Sequence, residues 1–228
     1  MTVNAAVAPN WLDLPPWRLS GLVLAPLMND PAALQALGAA TLAAPYKGAP
    51  KAPVLYIKPR NTLAAPGAPM VLPRGAPALQ IGASLALVIG RTTCRVKAAQ
   101  ALGHVAGLAL VADLCLPHSN YYRPSVHLNA LDGSCRIATP VTLQGLDADA
   151  QTLQVHIDGT CRQSASTAGH VRSAAVLLAD VSEFMTLRPG DLLLLGVPHG
   201  APLAGAGQRA RLFAPGIGQI EFALQASA

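Results

Sequence analysis

Residues 80–91 read QIGASLALVIGR. Apolar side chains alternate with small or polar ones before the run closes on Val88-Ile89-Gly90, the pattern of a strand entering a core. Gly82 and Ser84 stand two positions apart and therefore share one face of that strand. Residues 105–116 (VAGLALVADLCL) form a second apolar run that reads as a buried strand, and VKAAQALGHV (96–105) between the two fits a short helix.

Working outward, PVLYIKPRNTL (53–63) sets β-branched and aromatic residues between prolines and reads as a strand leading into a turn. QTLQVHIDGT (151–160) alternates and ends on Asp158-Gly159, a turn signal. TAGHVRSAAVLLADVSEFMTL (167–187) carries apolar residues at three- and four-residue spacing and predicts the longest helix, which stops before Arg188-Pro189-Gly190. DLLLLGVP and two strands at 208–213 and 217–225 follow. Residues 1–52, rich in Pro and Ala, read as a leading arm or small lid region with one short helix at 31–43, ahead of a core domain over 53–228. Many strands and few helices, without regular βαβ alternation, imply an α+β, β-rich fold around a large mixed or antiparallel sheet.

Of 228 residues, 52% are hydrophobic but only 4% aromatic, so the core is built from Ala, Leu and Val with few large anchors. The net charge of +5 comes from scarce carboxylates, 11 against 16 Lys and Arg, and the cations are scattered, which argues against a nucleic-acid surface. Apolar stretches broken by Pro, Gly, Gln or His104 fall short of the roughly eighteen residues that a membrane span needs. The first residues lack a basic start followed by an apolar block, so no secretory signal is expected. Cys94, Cys115, Cys135 and Cys161, without a CxxC pair, are expected to be reduced, mostly buried thiols of a cytoplasmic protein. The GxG pairs at 205–207 and 216–218 do not open helices after strands, the six histidines lack ligand spacing, and no GxSxG elbow is present.

Three stretches are too particular to be filler: YIKPRNTL (56–63), DLCLPHSNYYRP (113–124) and SEFMTLRPGDLLLLGVPHG (182–200). In this order and spacing they resemble the fumarylacetoacetate hydrolase superfamily over roughly residues 45–225, and within it the isomerase/decarboxylase branch of 4-hydroxyphenylacetate degradation, which is built from two related halves. The segments around 45–63 and 113–124 resemble the first half. The resemblance implies that superfamily's fold, a large mixed β-sheet roll with few helices, and substrates that are 2-oxo or enol dicarboxylates. It also implies a Mg²⁺ or Mn²⁺ ion held by a Glu-x-Glu pair on one strand and an Asp on its neighbour, which stabilises enolate charge.

Mapped onto this sequence, the two glutamate positions hold Gly82 and Ser84, and Asp113 is the one family ligand kept. Asn129 stands where the family carries a Lys, Val197 replaces a Thr of the final turn, and Gly169 replaces an Asp near Ser166 and Thr167. The chain's two glutamates, Glu183 and Glu221, lie on the long helix and the last strand. A single Asp beside Gly and Ser does not suit Mg²⁺, which keeps its water unless carboxylates surround it. The expectation is therefore a subunit with no cofactor of its own, forming either a homodimer or a hetero-oligomer with a paralogous subunit that binds the Mg²⁺ or Mn²⁺. Lys58, Arg60, Asn61, Tyr122, Arg123 and Ser166 are candidate substrate-binding residues, with Asp113 as candidate catalytic base. A metal-independent enzyme for a related 2-oxo dicarboxylate and a non-catalytic dicarboxylate-binding or scaffold protein are the alternatives.

Overall fold

A computed structural model describes residues 21–119 and 125–227. In chain order the strands are β1 (Val23–Leu27), β2 (Val54–Lys58), β3 (Leu63–Ala64), β4 (Met70–Val71), β5 (Leu79–Ile89), β6 (Val105–Cys115), β7 (Cys135–Ile137), β8 (Val141–Thr142), β9 (Thr152–Ile157), β10 (Thr160–Ser166), β11 (Leu192–Leu194), β12 (Leu203–Ala204), β13 (Arg209–Ala214) and β14 (Gly218–Gln225). The helices are α1 (Pro31–Leu37), α2 (Ala98–Ala101), α3 (Val126–Asn129) and α4 (Ala174–Phe184). The fold is β-rich with few helices, organised around a large curled mixed sheet.

That sheet has nine strands, with the order β2-β1-β11-β5-β6-β7-β3 and with β12 and β8 attached to β5 and β6. Its two ends are joined by only residues 59–62. At about 4.8 Å per strand, six steps across a flat sheet would set β2 and β3 roughly 29 Å apart. The connection from Lys58 to Leu63 spans at most about 18 Å. The sheet must therefore curl until its edges approach, which makes it a roll.

β5 and β6, eleven residues each, form its spine as an antiparallel pair. Both are buried on both faces, which is why they read as near-continuous apolar runs. Alternate residues on β5 divide cleanly. Ile81, Ala83, Leu85, Leu87 and Ile89 pack outward into a core shared with the five-stranded sheet β10-β9-β13-β14-β4 and with α4. Ala86 and Val88 face inward with Ala109, Val111, Leu192 and Leu194. By the two-residue period, Gly82, Ser84 and Asp113 belong to this inner face.

The helix expected over 167–187 occupies only Ala174–Phe184. Ser173 accepts from the Val176 N–H as its N-cap, and Gly169 sits at φ +78°, so the preceding residues turn instead of coiling. The expected helix over 31–43 likewise ends its α-helical part at Leu37, where Gly38 takes φ +49°. Residues 23–27, read as part of a leading arm, form a strand parallel to β11 inside the large sheet. Pro26 in that strand masked its signal. The hairpin turn at Asp158-Gly159 is present with positive φ at both residues, 49° and 78°. The thiols correct another expectation: Cys94 and Cys161 are exposed and Cys115 is half-buried, leaving Cys135 as the fully buried one. Among the described residues, no helix is long and apolar enough to cross a membrane.

Candidate functional site

The end of the roll's interior gathers the chemistry. Gly82 on β5 lies directly opposite Asp113 on β6, and Ser84 lies opposite Val111. Lys58, the last residue of β2, reaches the same point because the sheet curls. Its Nζ is 2.6 Å from Asp113 Oδ1, with both side chains almost fully buried. It also donates to the carbonyls of Leu114 (2.8 Å) and Asn129 (2.7 Å), with Ser134 Oγ at 3.4 Å. An ammonium has three protons. Here one carboxylate and two carbonyls engage all three.

The other carboxylate oxygen, Asp113 Oδ2, accepts a hydrogen bond from the Tyr56 hydroxyl. Tyr56 stands two residues before Lys58, hence on the same face of β2. Burial and the adjacent Asp113 charge raise its phenol well above the ordinary value, so it stays a donor. Burial, joined by the Asp113 charge, pushes the Cys115 thiol up to about 12, and burial does the same to Cys135. Neither thiol is a ready thiolate.

Tyr56, Gln80, Gly82, Asp113, Asn129 and Val197 line a cavity of about 70 Å³ at this end of the roll. Ligand pockets for larger molecules run to roughly 300–1,000 Å³. The described residues thus leave room for a few heavy atoms directly beside Asp113.

A divalent cation does not fit these donors. Gly82 offers no side chain. Ser84 is fully buried, and its hydroxyl donates to the Leu85 carbonyl while accepting from the Gly196 N–H at 3.2 Å. Both Asp113 oxygens are already engaged, Oδ1 by the Lys58 ammonium and Oδ2 as acceptor from the Tyr56 hydroxyl. Among the described residues no three His, Cys, Asp or Glu side chains converge. Hard cations require a shell of oxygens free to coordinate.

The candidate residues from sequence divide. Asp113, Lys58, Gly82 and Asn129 come together, with Lys58 behind Asp113 instead of facing the cavity. Arg60 is exposed. Asn61 is exposed and bonds the Ala130 carbonyl and Asp132, bracing the loop after α3. Ser166 is exposed at the end of β10, where it accepts from the Ala168 N–H. None of these three lines the cavity. Tyr122 and Arg123 lie outside the described residues. Sequence reasoning missed Tyr56, although its spacing from Lys58 signals it. It also missed Met28, a buried lining residue held at φ 59°, for which the sequence carries no signal.

Comparison with known proteins places this geometry in context. Residues 23–225 match the family described as fumarylacetoacetate (FAA) hydrolase, C-terminal. The chain is 37% identical over 203 residues to the 4-hydroxyphenylacetate degradation bifunctional isomerase/decarboxylase of Escherichia coli, covering 89% of this chain and 47% of that protein. It thus spans about half the length of that relative. Two solved structures share the fold. The 2-hydroxyhepta-2,4-diene-1,7-dioate isomerase from Mycobacterium marinum has a TM-score of 0.74 at 24% identity, covering 92% of this chain and 76% of its own. The fumarylpyruvate hydrolase from Pseudomonas aeruginosa, in complex with Mn²⁺ and pyruvate, has a TM-score of 0.73 at 21% identity, covering 90% and 89%.

Proposed function

The chain belongs to the fumarylacetoacetate hydrolase family, and on that premise we propose that it is a metal-less subunit of the 4-hydroxyphenylacetate-degrading isomerase/decarboxylase type. It works with a paralogous half that carries the intact carboxylate triad and its Mg²⁺ or Mn²⁺, and the assembly acts on a 2-oxo or enol dicarboxylate in the cytoplasm.

One observation carries this reading. At the position where the family chemistry needs a cation, Asp113 is neutralised by Lys58 and capped by Tyr56, opposite a glycine. Breaking a C–H or C–CO₂ bond beside a 2-oxo acid requires positive charge aimed at the developing enolate oxygen. Lys58 cannot supply it, because its protons are engaged within the protein. A family fold without an available electrophile supports the reading of a half that serves a catalytic partner. The 37% identity to a two-fold longer bifunctional enzyme supports the same reading, since that relative has room for a second half.

The test is an activity assay on a 2-hydroxydienedioate, followed by loss of its ultraviolet absorbance, with the chain alone and mixed with a triad-bearing paralogue. Turnover that exceeds the paralogue's own only on mixing is expected. Equal turnover with and without this chain contradicts the reading.

A second reading is favoured by the carboxylate and phenol that line the cavity together: metal-independent proton transfer by Asp113 on a small 2-oxo acid. It predicts turnover by the isolated chain that survives EDTA and is lost in Asp113→Asn.

A further inference from the structure

The cation position is filled as well as stripped. An ideal Cβ built on Gly82 would lie 2.6 Å from the Asp113 carbonyl oxygen and 2.8 and 2.9 Å from the two methyl carbons of Val197. Contacts below 3.0 Å are not tolerated by real side chains, so any residue other than glycine here must displace Val197 and adjust the β5–β6 pairing. Ser84, the other inward position, holds the same turn from below through the Gly196 N–H.

That turn is tied down on its other side. Asn29 Nδ2 donates to the Leu195 carbonyl at 2.7 Å and to the Arg172 carbonyl at 3.1 Å. Gly196 takes φ +116°, a backbone conformation that side chains rarely adopt, and a Cβ there would meet Asn29 Cβ at 3.3 Å. Val197 is thus pressed over Gly82 by a turn fixed from two sides.

We propose that Val197, together with the Asp113 carbonyl, forms a steric seal over the family's cation position, so that glutamates placed at 82 and 84 hold a cation less tightly while the Val197 side chain is present than when it is removed. This rests on the reading of the chain as metal-less. It goes further by assigning Val197 a part in closing the site.

The experiment compares the full-length wild type with Gly82→Glu/Ser84→Glu, with the same pair plus Val197→Gly, and with Val197→Gly alone. Mn²⁺ binding is followed by electron spin resonance of the free ion. The expected result is no saturable binding by the wild type or by Val197→Gly, and binding at least ten-fold tighter by the triple than by the double. A double variant that binds Mn²⁺ as tightly as the triple, or a triple that binds none, overturns the seal. Stoichiometric binding by the wild type overturns the metal-less reading instead, so the two failures are distinguishable.

Should the charged variants fail to fold, thermal unfolding of Gly82→Ala in the wild-type and Val197→Gly backgrounds decides. Relief of overpacking should make the Gly82→Ala penalty smaller by about 3 °C or more when Val197 is gone. Equal penalties in both backgrounds overturn the proposal.

Discussion

Lys58 Nζ and Asp113 Oδ1 lie 2.6 Å apart, although their strands are separated by β1, β11 and β5 in the sheet order. The contact exists only because the sheet closes on itself. It links the geometry of the roll directly to the chemistry of its interior: the fold that buries Asp113 at this end of the roll also delivers an internal cation to neutralise it.

The pair is buried, so cutting it is predicted to be costly. Lys58→Met leaves a carboxylate without its counter-ion, and the loss expected on urea unfolding is about 3–5 kcal/mol. Lys58→Met combined with Asp113→Leu removes both charges and should recover more than half of that loss. A double variant as unstable as the single one would show that the carbonyl partners of Lys58, not its charge pairing, dominate.

Arg136 on β7 is fully buried. Its guanidinium donates to the Gly133 and Ala68 carbonyls and stacks 4.3 Å from the Phe222 ring centroid. It therefore ties the roll to β14 of the second sheet. Arg136→Ala opens a cavity and strands two carbonyls, so a loss of at least about 3 kcal/mol is expected. Arg136→Met keeps the volume and removes a buried charge, and should lose clearly less. Chemical denaturation of the two variants reads the order.

His170 gives the stability a pH dependence. Burial lowers its pKa from the ordinary 6.5, against the opposing pull of the Asp30 and Asp149 carboxylates. Between the unfolded value and the depressed folded one, the unfolded chain binds more protons than the native chain. Stability is therefore fully present above about pH 6.5 and falls as the pH drops through the folded pKa. Melting temperatures measured from pH 7.5 to 5 should decline for the wild type, with a shallower decline in His170→Gln. Parallel curves would remove His170 as the cause.

The thiols should react in two classes. Cys94 and Cys161 are exposed, whereas Cys115 and Cys135 are held protonated to about 12. Ellman's reagent at pH 8 is expected to titrate the two exposed thiols rapidly and the other two slowly, with Cys135 reacting only on unfolding. Fast reaction of all four would show that this end of the roll opens readily.

β5 and β6 were legible because strands buried on both faces leave continuous apolar runs. Their inward face was legible too, since a strict two-residue period places Gly82 and Ser84 together. β10 was not legible: CRQSAS is exposed at most positions and carries no apolar alternation. β1 was hidden by Pro26 and the Pro- and Ala-rich composition around it. At the site, Asp113 and Lys58 stood out as charged residues in apolar surroundings, but their pairing across 55 positions depends on closure of the roll, which local pattern does not encode. The same holds for Val197 over Gly82. A glycine in a strand signals close approach, yet the neighbour that approaches it comes from a turn 115 residues downstream.

The measurement that bears most directly on the account is a Mn²⁺ titration of the purified wild-type chain, with the free ion followed by electron spin resonance. The account predicts no saturable binding, because Lys58 and Tyr56 engage both Asp113 oxygens and, among the described residues, no three His, Cys, Asp or Glu side chains converge. Saturation near one ion per chain, abolished by Asp113→Asn, would contradict it.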